Sequence, residues 1–110
     1  MSALTESDWK YLSSIRLTLL EEFSRRINLE VAVAATRSGV SENEKRQSVY
    51  KLVRDRDRDI AAGFDDWRRS QMFFVAMEWR RLGLLTEEHL VHLSSEGAES
   101  LRQLDKTKKA

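Results

Sequence analysis

The stretch TESDWKYLSSIRLTLLEEFSRRINLEV, residues 5–31, decides the fold of this chain. Its apolar residues recur at steps of three and four, the spacing of one face of a long α-helix. Thr5 and Asp8 have the spacing of a capping box at the start of that helix, and Ser7 is a competing cap. We expect it to end before Gly39, because glycine readily adopts the left-handed conformation that follows a helix. The apolar face consists of Trp9, Leu12, Ile15, Leu19, Phe23, Ile27 and Val31.

The predicted first helix is long for a chain of 110 residues. Some thirty residues at 1.5 Å each give about 45 Å, roughly twice the length of the third predicted helix. We therefore expect the first helix to bend near Asn28 or to project beyond the rest of the protein. Leu29, Val33 and neighbouring alanines widen its apolar face towards the C-terminal end.

A second and a third helix follow. Ser41 and Glu44 predict a capping box at the start of the second helix, and Gly63 loosens or ends it. The third helix is predicted over residues 67–82 and is apolar on nearly every side. A helix of that kind is either central in its fold or shared with a partner.

The fourth predicted helix begins at Thr86, with Leu85 and Leu90 placed for a hydrophobic staple. Gly97 lies on its inner face, where the missing side chain either permits a neighbouring helix to approach closely or simply weakens the middle of the helix. The chain is thus predicted to be all-α: a four-helix bundle or array of antiparallel helices with short turns and a long first helix. Residues 1–105 form one predicted domain, and residues 106–110 a flexible basic tail.

Composition limits the classes of partner. The chain has 19 basic and 18 acidic residues, so no global field attracts nucleic acid or an anionic membrane. It has no Cys, which is typical of a reducing compartment. The first ten residues do not resemble a signal peptide, and the longest apolar run, residues 72–77, is too short to cross a bilayer. We expect a cytoplasmic protein that does not bind membranes.

The sequence does not predict a catalytic or metal site. His89 and His92 share a helix face near Glu96 and are the alternative candidates for a metal or small-ligand site, but their spacing matches none of the helical metal-binding templates. Cys nucleophiles, the Gly-x-Ser-x-Gly turn and phosphate-binding glycine loops are absent from the sequence. We therefore expect a protein that is not an enzyme, with no metal, no cofactor and no small-molecule substrate.

The third helix carries arginines and aromatic residues together, a combination common in protein interfaces. The simplest alternative is that these residues only build the core. The predicted interface residues are Trp67, Arg69, Phe73, Phe74, Met77, Trp79 and Arg80. Arginines also contact phosphates, so the alternative function is a nucleic-acid-binding regulator that uses Arg68, Arg69, Arg80 and Arg81.

The functional prediction is a small helical protein that acts through protein–protein contacts as an adaptor, a regulator or a homodimeric module. Apolar surface beyond one stripe per helix is usually covered by another chain, and a symmetric homodimer is the commonest arrangement. The turn at residues 82–88, LGLLTEE, resembles turns of short bacterial helical hairpins and linkers of some helix-turn-helix regulators. This resemblance implies a bacterial origin and defines no family.

Overall fold

The computed structural model describes the backbone of residues 4–109 and the side chains of residues 4–104. Over this range the chain is all-α, as predicted, and contains no strand. A π-helical turn, Ala61–Asp65, and a 3-10 turn, Arg69–Gln71, lie between the second and third α-helices. The α-helices are α1 (Glu6–Thr36), α2 (Glu42–Ile60), α3 (Met72–Arg81), α4 (Glu87–Leu90) and α5 (Ser95–Lys109).

The hairpin of α1 and α2 forms largely as predicted. Thr5 and Asp8 make the capping box of α1, and Gly39 has a φ of 83° just after the helix ends. Ser41 caps α2, since its hydroxyl accepts a hydrogen bond from the Glu44 amide at 3.1 Å. The reciprocal contact from the Glu44 side chain, which the sequence predicts, does not form among the described residues.

The third helix is shorter than the predicted residues 67–82. Trp67 and Arg68 precede the 3-10 turn, and α3 begins only at Met72. The backbone of Arg68 is extended, with φ −132° and ψ 147°. This extended segment allows the Trp67 ring to pack between Trp9 and Trp79. That tertiary contact outweighs the local helix propensity.

The predicted fourth helix is two helices, so the described chain has five α-helices where four were expected. The break falls after α4, where the Ser94 hydroxyl accepts a hydrogen bond from the Gly97 amide at 3.2 Å and caps α5. α5 continues through Lys109, inside the segment predicted to be a tail. The side chains of that segment lie outside the described residues.

The core lies around the N-terminal half of α1. Leu12, Leu19 and Phe23 are the buried apolar residues of this helix, and α3 supplies four more, Met72, Val75, Ala76 and Trp79. α2 contains no buried residue, and past Ile27 no apolar residue of α1 packs against the core. The long first helix therefore projects, accompanied by α2, and the protein is 51 Å along its longest axis.

We call residues 28–56, the projecting part of the hairpin, the arm. No apolar residue of the arm belongs to the core cluster or packs against it. Within residues 4–109, none of the helices has the length and apolar character that crossing a bilayer requires.

Candidate interaction surface

Two of the predicted interface residues form an internal aromatic stack. The Trp67 ring lies between Trp9, at a centroid distance of 4.5 Å, and Trp79, at 5.3 Å. Trp79 is 0% exposed, and its indole Nε1 donates a hydrogen bond to the Gly63 carbonyl at 2.8 Å. The prediction that Trp79 contacts a partner is wrong for the folded protein, because its side chain is enclosed by its own chain.

The other apolar candidates on α3 divide between core and surface. Phe73 and Met77 are half-buried and pack against the core cluster. Phe74 is 50% exposed, so it is the predicted apolar residue most accessible to a partner. α3 is therefore mainly a central helix, one of the two arrangements that its all-round apolar character allowed.

The four arginines proposed to bind phosphate all have carboxylate partners. Hydrogen bonds from Arg68 hold the pKa of Asp66 below its ordinary value. Neutralised in this way, the arginines present no cluster of unpaired cations, which weakens the nucleic-acid alternative. The ion pairs are Arg68–Asp66 at 2.6 Å, Arg69–Glu6 at 2.8 Å, Arg80–Glu87 at 2.8 Å, Arg81–Glu78 at 2.6 Å and Arg81–Asp59 at 2.9 Å.

Both histidines take part in local structure. The Thr86 amide donates a hydrogen bond to Nδ1 of His89 at 3.0 Å, completing a capping box at the start of α4. The His92 ring stacks on Tyr11 at a centroid distance of 4.9 Å. In the part of the chain that the structure describes, no group of three or more His, Asp or Glu residues is arranged to hold a metal ion.

The one buried carboxylate among the described residues joins the first and last helices. Asp8 accepts hydrogen bonds from the Ser94 amide and the Ser94 hydroxyl, each at 2.7 Å, and from the Thr5 amide at 2.9 Å. Burial raises the pKa of Asp8, but the hydrogen bonds from Thr5 and Ser94 outweigh it and leave this pKa below its ordinary value. A Cβ on Gly97 would lie 3.1 Å from Asp8 Oδ2 and 2.6 Å from Leu4, so the predicted close approach at Gly97 is confirmed.

An unpartnered apolar surface lies on the arm, away from the predicted interface residues. Leu29 is 55% exposed and Val33 is 69% exposed. Both line a shallow groove between α1 and α2, which we call the arm groove. Its lining residues are Leu29, Glu30, Val33, Ala34, Arg37 and Leu52.

The arm groove continues a face of α1 that is covered nearer the core. Arg26 lies one turn before Glu30, and its guanidinium donates hydrogen bonds of about 3.3 Å to the carbonyls of Leu82 and Gly83. Past Ile27, no apolar residue of α1 packs against the core cluster. The widened apolar face at this end of α1 is a feature of the sequence, but local periodicity does not reveal which face a neighbouring element covers.

The polar members of the arm groove carry opposite charges. Glu30 accepts two hydrogen bonds from the Arg56 guanidinium, at 3.1 and 3.0 Å, and these hold the pKa of Glu30 below its ordinary value. Arg37 is exposed and makes no ion pair with any described residue. The groove thus combines an apolar floor with a charged carboxylate and an unpaired cation.

The architecture defines an all-α protein with a helical core and a projecting two-helix arm. Comparisons with models of known protein families, with curated proteins and with solved structures find no match.

Proposed function

We propose that this protein acts through protein–protein contact, with the arm as the binding element, and that it is not an enzyme. The observation that supports this is the arm itself: two paired helices whose apolar residues stay outside the core. Full burial of a leucine or valine side chain is worth about 1.5–3 kcal/mol, and Leu29 and Val33 gain only part of it in the monomer. A partner on the arm groove would supply the remainder.

The absence of catalysis is supported by the uses of the polar side chains. Asp8 accepts three hydrogen bonds at the contact between α1 and Ser94, and His89 caps α4. Asp8, which is saturated by hydrogen bonds within the fold, is poorly placed to exchange protons with a substrate. His89 has a structural role at the start of α4.

We further propose a cytoplasmic location, because the chain has no Cys and so gains nothing from an oxidising compartment. The bacterial origin stays a prediction from the turn at residues 82–88.

A capture experiment with matched variants tests the function. The protein and its V33E and L17E variants would be tagged, incubated with extract of the source cells and analysed by mass spectrometry. Leu17 is a suitable control because it is 70% exposed on the same helix but does not line the arm groove. We expect V33E to lose a protein that the wild type and L17E retain, since a buried unpaired carboxylate is costly.

The proposal predicts dependence on the groove. If V33E retains every protein that the wild type binds, including a second copy of this chain, the arm is not the binding element and the proposed function is wrong.

A further inference from the structure

The arm groove has the charge pattern of a surface that binds itself. Glu30, Val33, Ala34 and Arg37 are spaced three, four and seven residues apart and all line the groove. The acidic and basic residues therefore flank an apolar centre on one face. They are about 10 Å apart along the chain at 1.5 Å per residue.

Two-fold symmetry makes this pattern complementary to a second copy. In a symmetric antiparallel pair of helices, the same patch meets itself and contacts are reciprocal. An axis between Val33 and Ala34 brings Val33 of one copy opposite Ala34 of the other. The same symmetry brings Glu30 opposite Arg37, and it does so twice.

We propose that the arm groove is a homodimer interface, in which the arms of two copies pack antiparallel about an axis between Val33 and Ala34. This proposal rests on the proposed function and names its partner as a second copy of this chain. The four helices of two arms then form a four-helix bundle. Each arm thereby gains the second layer of helices that it lacks in the monomer.

The groups at the interface suit this arrangement. Ala34 is small and permits α1 of the second copy to approach closely, while Leu29, Val33 and Leu52 supply apolar surface. Arg37 has no ion-pair partner among the described residues and can reach a carboxylate of the second copy. Glu30 can accept this bond as well as those from Arg56, because a carboxylate has about four acceptor positions.

Sedimentation equilibrium over micromolar to high-micromolar protein tests the dimer. We expect reversible dimerisation of the wild type and of L17E, and V33E should weaken it about a hundredfold because each dimer would bury two carboxylates against apolar surface. Far-UV circular dichroism would establish that the variants remain folded. A wild type that stays monomeric throughout overturns the dimer.

A charge exchange tests the proposed register. R37E places a carboxylate opposite Glu30 at both ends of the interface, so we expect about tenfold weaker dimerisation at low salt and a smaller loss at high salt. E30R has the reverse effect, because its homodimer sets two guanidinium groups against each other at each end. Mixing R37E with E30R restores both opposite-charge pairs, and a heterodimer tighter than either homodimer is expected.

The mixing result separates interface from fold damage, since E30R also removes the contact with Arg56 inside the protomer. Damage to the arm would weaken the mixture as well. Absence of a preferred heterodimer between variants that circular dichroism shows to be folded overturns the proposed register. If the wild type is monomeric but V33E still loses a different protein in the capture experiment, the homodimer is refuted and the proposed function stands.

Discussion

The substitution Asp8→Ala tests whether this carboxylate holds α1 against the start of α5. Three hydrogen bonds of 2.7–2.9 Å end on this carboxylate, two from Ser94 and one from Thr5. A hydrogen bond to a charged group contributes about 1.5–3 kcal/mol. Water can occupy the space of the removed carboxylate and replace some of its hydrogen bonds. We therefore expect D8A to lower the free energy of unfolding by about 3–5 kcal/mol. This is a large share of the roughly 5–15 kcal/mol typical of a domain.

Urea denaturation followed by circular dichroism measures this change, first at neutral pH. Asp57→Ala is the control, because Asp57 is an exposed α2 residue whose carboxylate makes no hydrogen bond or ion pair with a described residue. An exposed substitution of this kind changes stability by less than about 0.5 kcal/mol.

The pH dependence of the same difference provides an independent check. The pKa of Asp8 in the folded protein lies below its ordinary value of 3.8, so its stabilisation is complete above that pH. It is lost as the pH falls through the lower pKa of the folded state. The difference between wild type and D8A should therefore be constant from neutral pH to about pH 5 and shrink below the ordinary pKa. A D8A protein within about 1 kcal/mol of wild type, or a difference unaffected by acid, would refute the assigned role.

Three further substitutions test the packing, each by urea denaturation. Trp79→Phe should cost about 2–4 kcal/mol, because it leaves a cavity and removes the hydrogen bond to Gly63; an unchanged midpoint would contradict this. Gly39→Ala should cost only about 1 kcal/mol, since φ is 83° but the added Cβ meets no atom within 4 Å; a loss several times larger would show that the turn is more constrained. Gly97→Ala should destabilise by about 1–2 kcal/mol despite its better helix propensity, because its Cβ would lie 2.6 Å from Leu4; a more stable variant would show that the contact is loose.

Local sequence signals predicted the parts of the fold that local interactions determine. The capping box of Thr5 and Asp8, the left-handed Gly39 and the length of α1 all depend on residues within a few positions of one another. The projection of α1 was also among the predicted outcomes, because its length exceeds what the other helices can cover.

The errors arose where distant residues decide the local structure. The break before α5 depends on Ser94, whose amide and hydroxyl bind Asp8 across the whole chain. The extended segment at Trp67 depends on Trp9 and Trp79, which enclose its ring. Neither contact leaves a signal in the sequence near the break.

The interface on the third helix stays a prediction, and the interface on the arm is a proposal. The third helix and the C-terminal part of the first helix both carry more apolar residues than one buried face requires. The arginines and aromatic residues favour the third helix as the interface. Trp79 is buried there, whereas Val33 stays exposed on the arm. Which of these apolar faces is buried in the core depends on how the helices are arranged in space, and periodicity carries no information on that arrangement.

Disulfide cross-linking at the proposed symmetry axis tests the arm-to-arm dimer most directly. The chain has no Cys, so Ala34→Cys introduces a single thiol beside the axis, and Leu17→Cys is a control away from the groove. A disulfide forms only where two Cα atoms come within about 7 Å. Non-reducing electrophoresis after mild oxidation should show a rapid covalent dimer for A34C and very little for L17C. Equal cross-linking of the two variants, or none for A34C, would contradict the dimer.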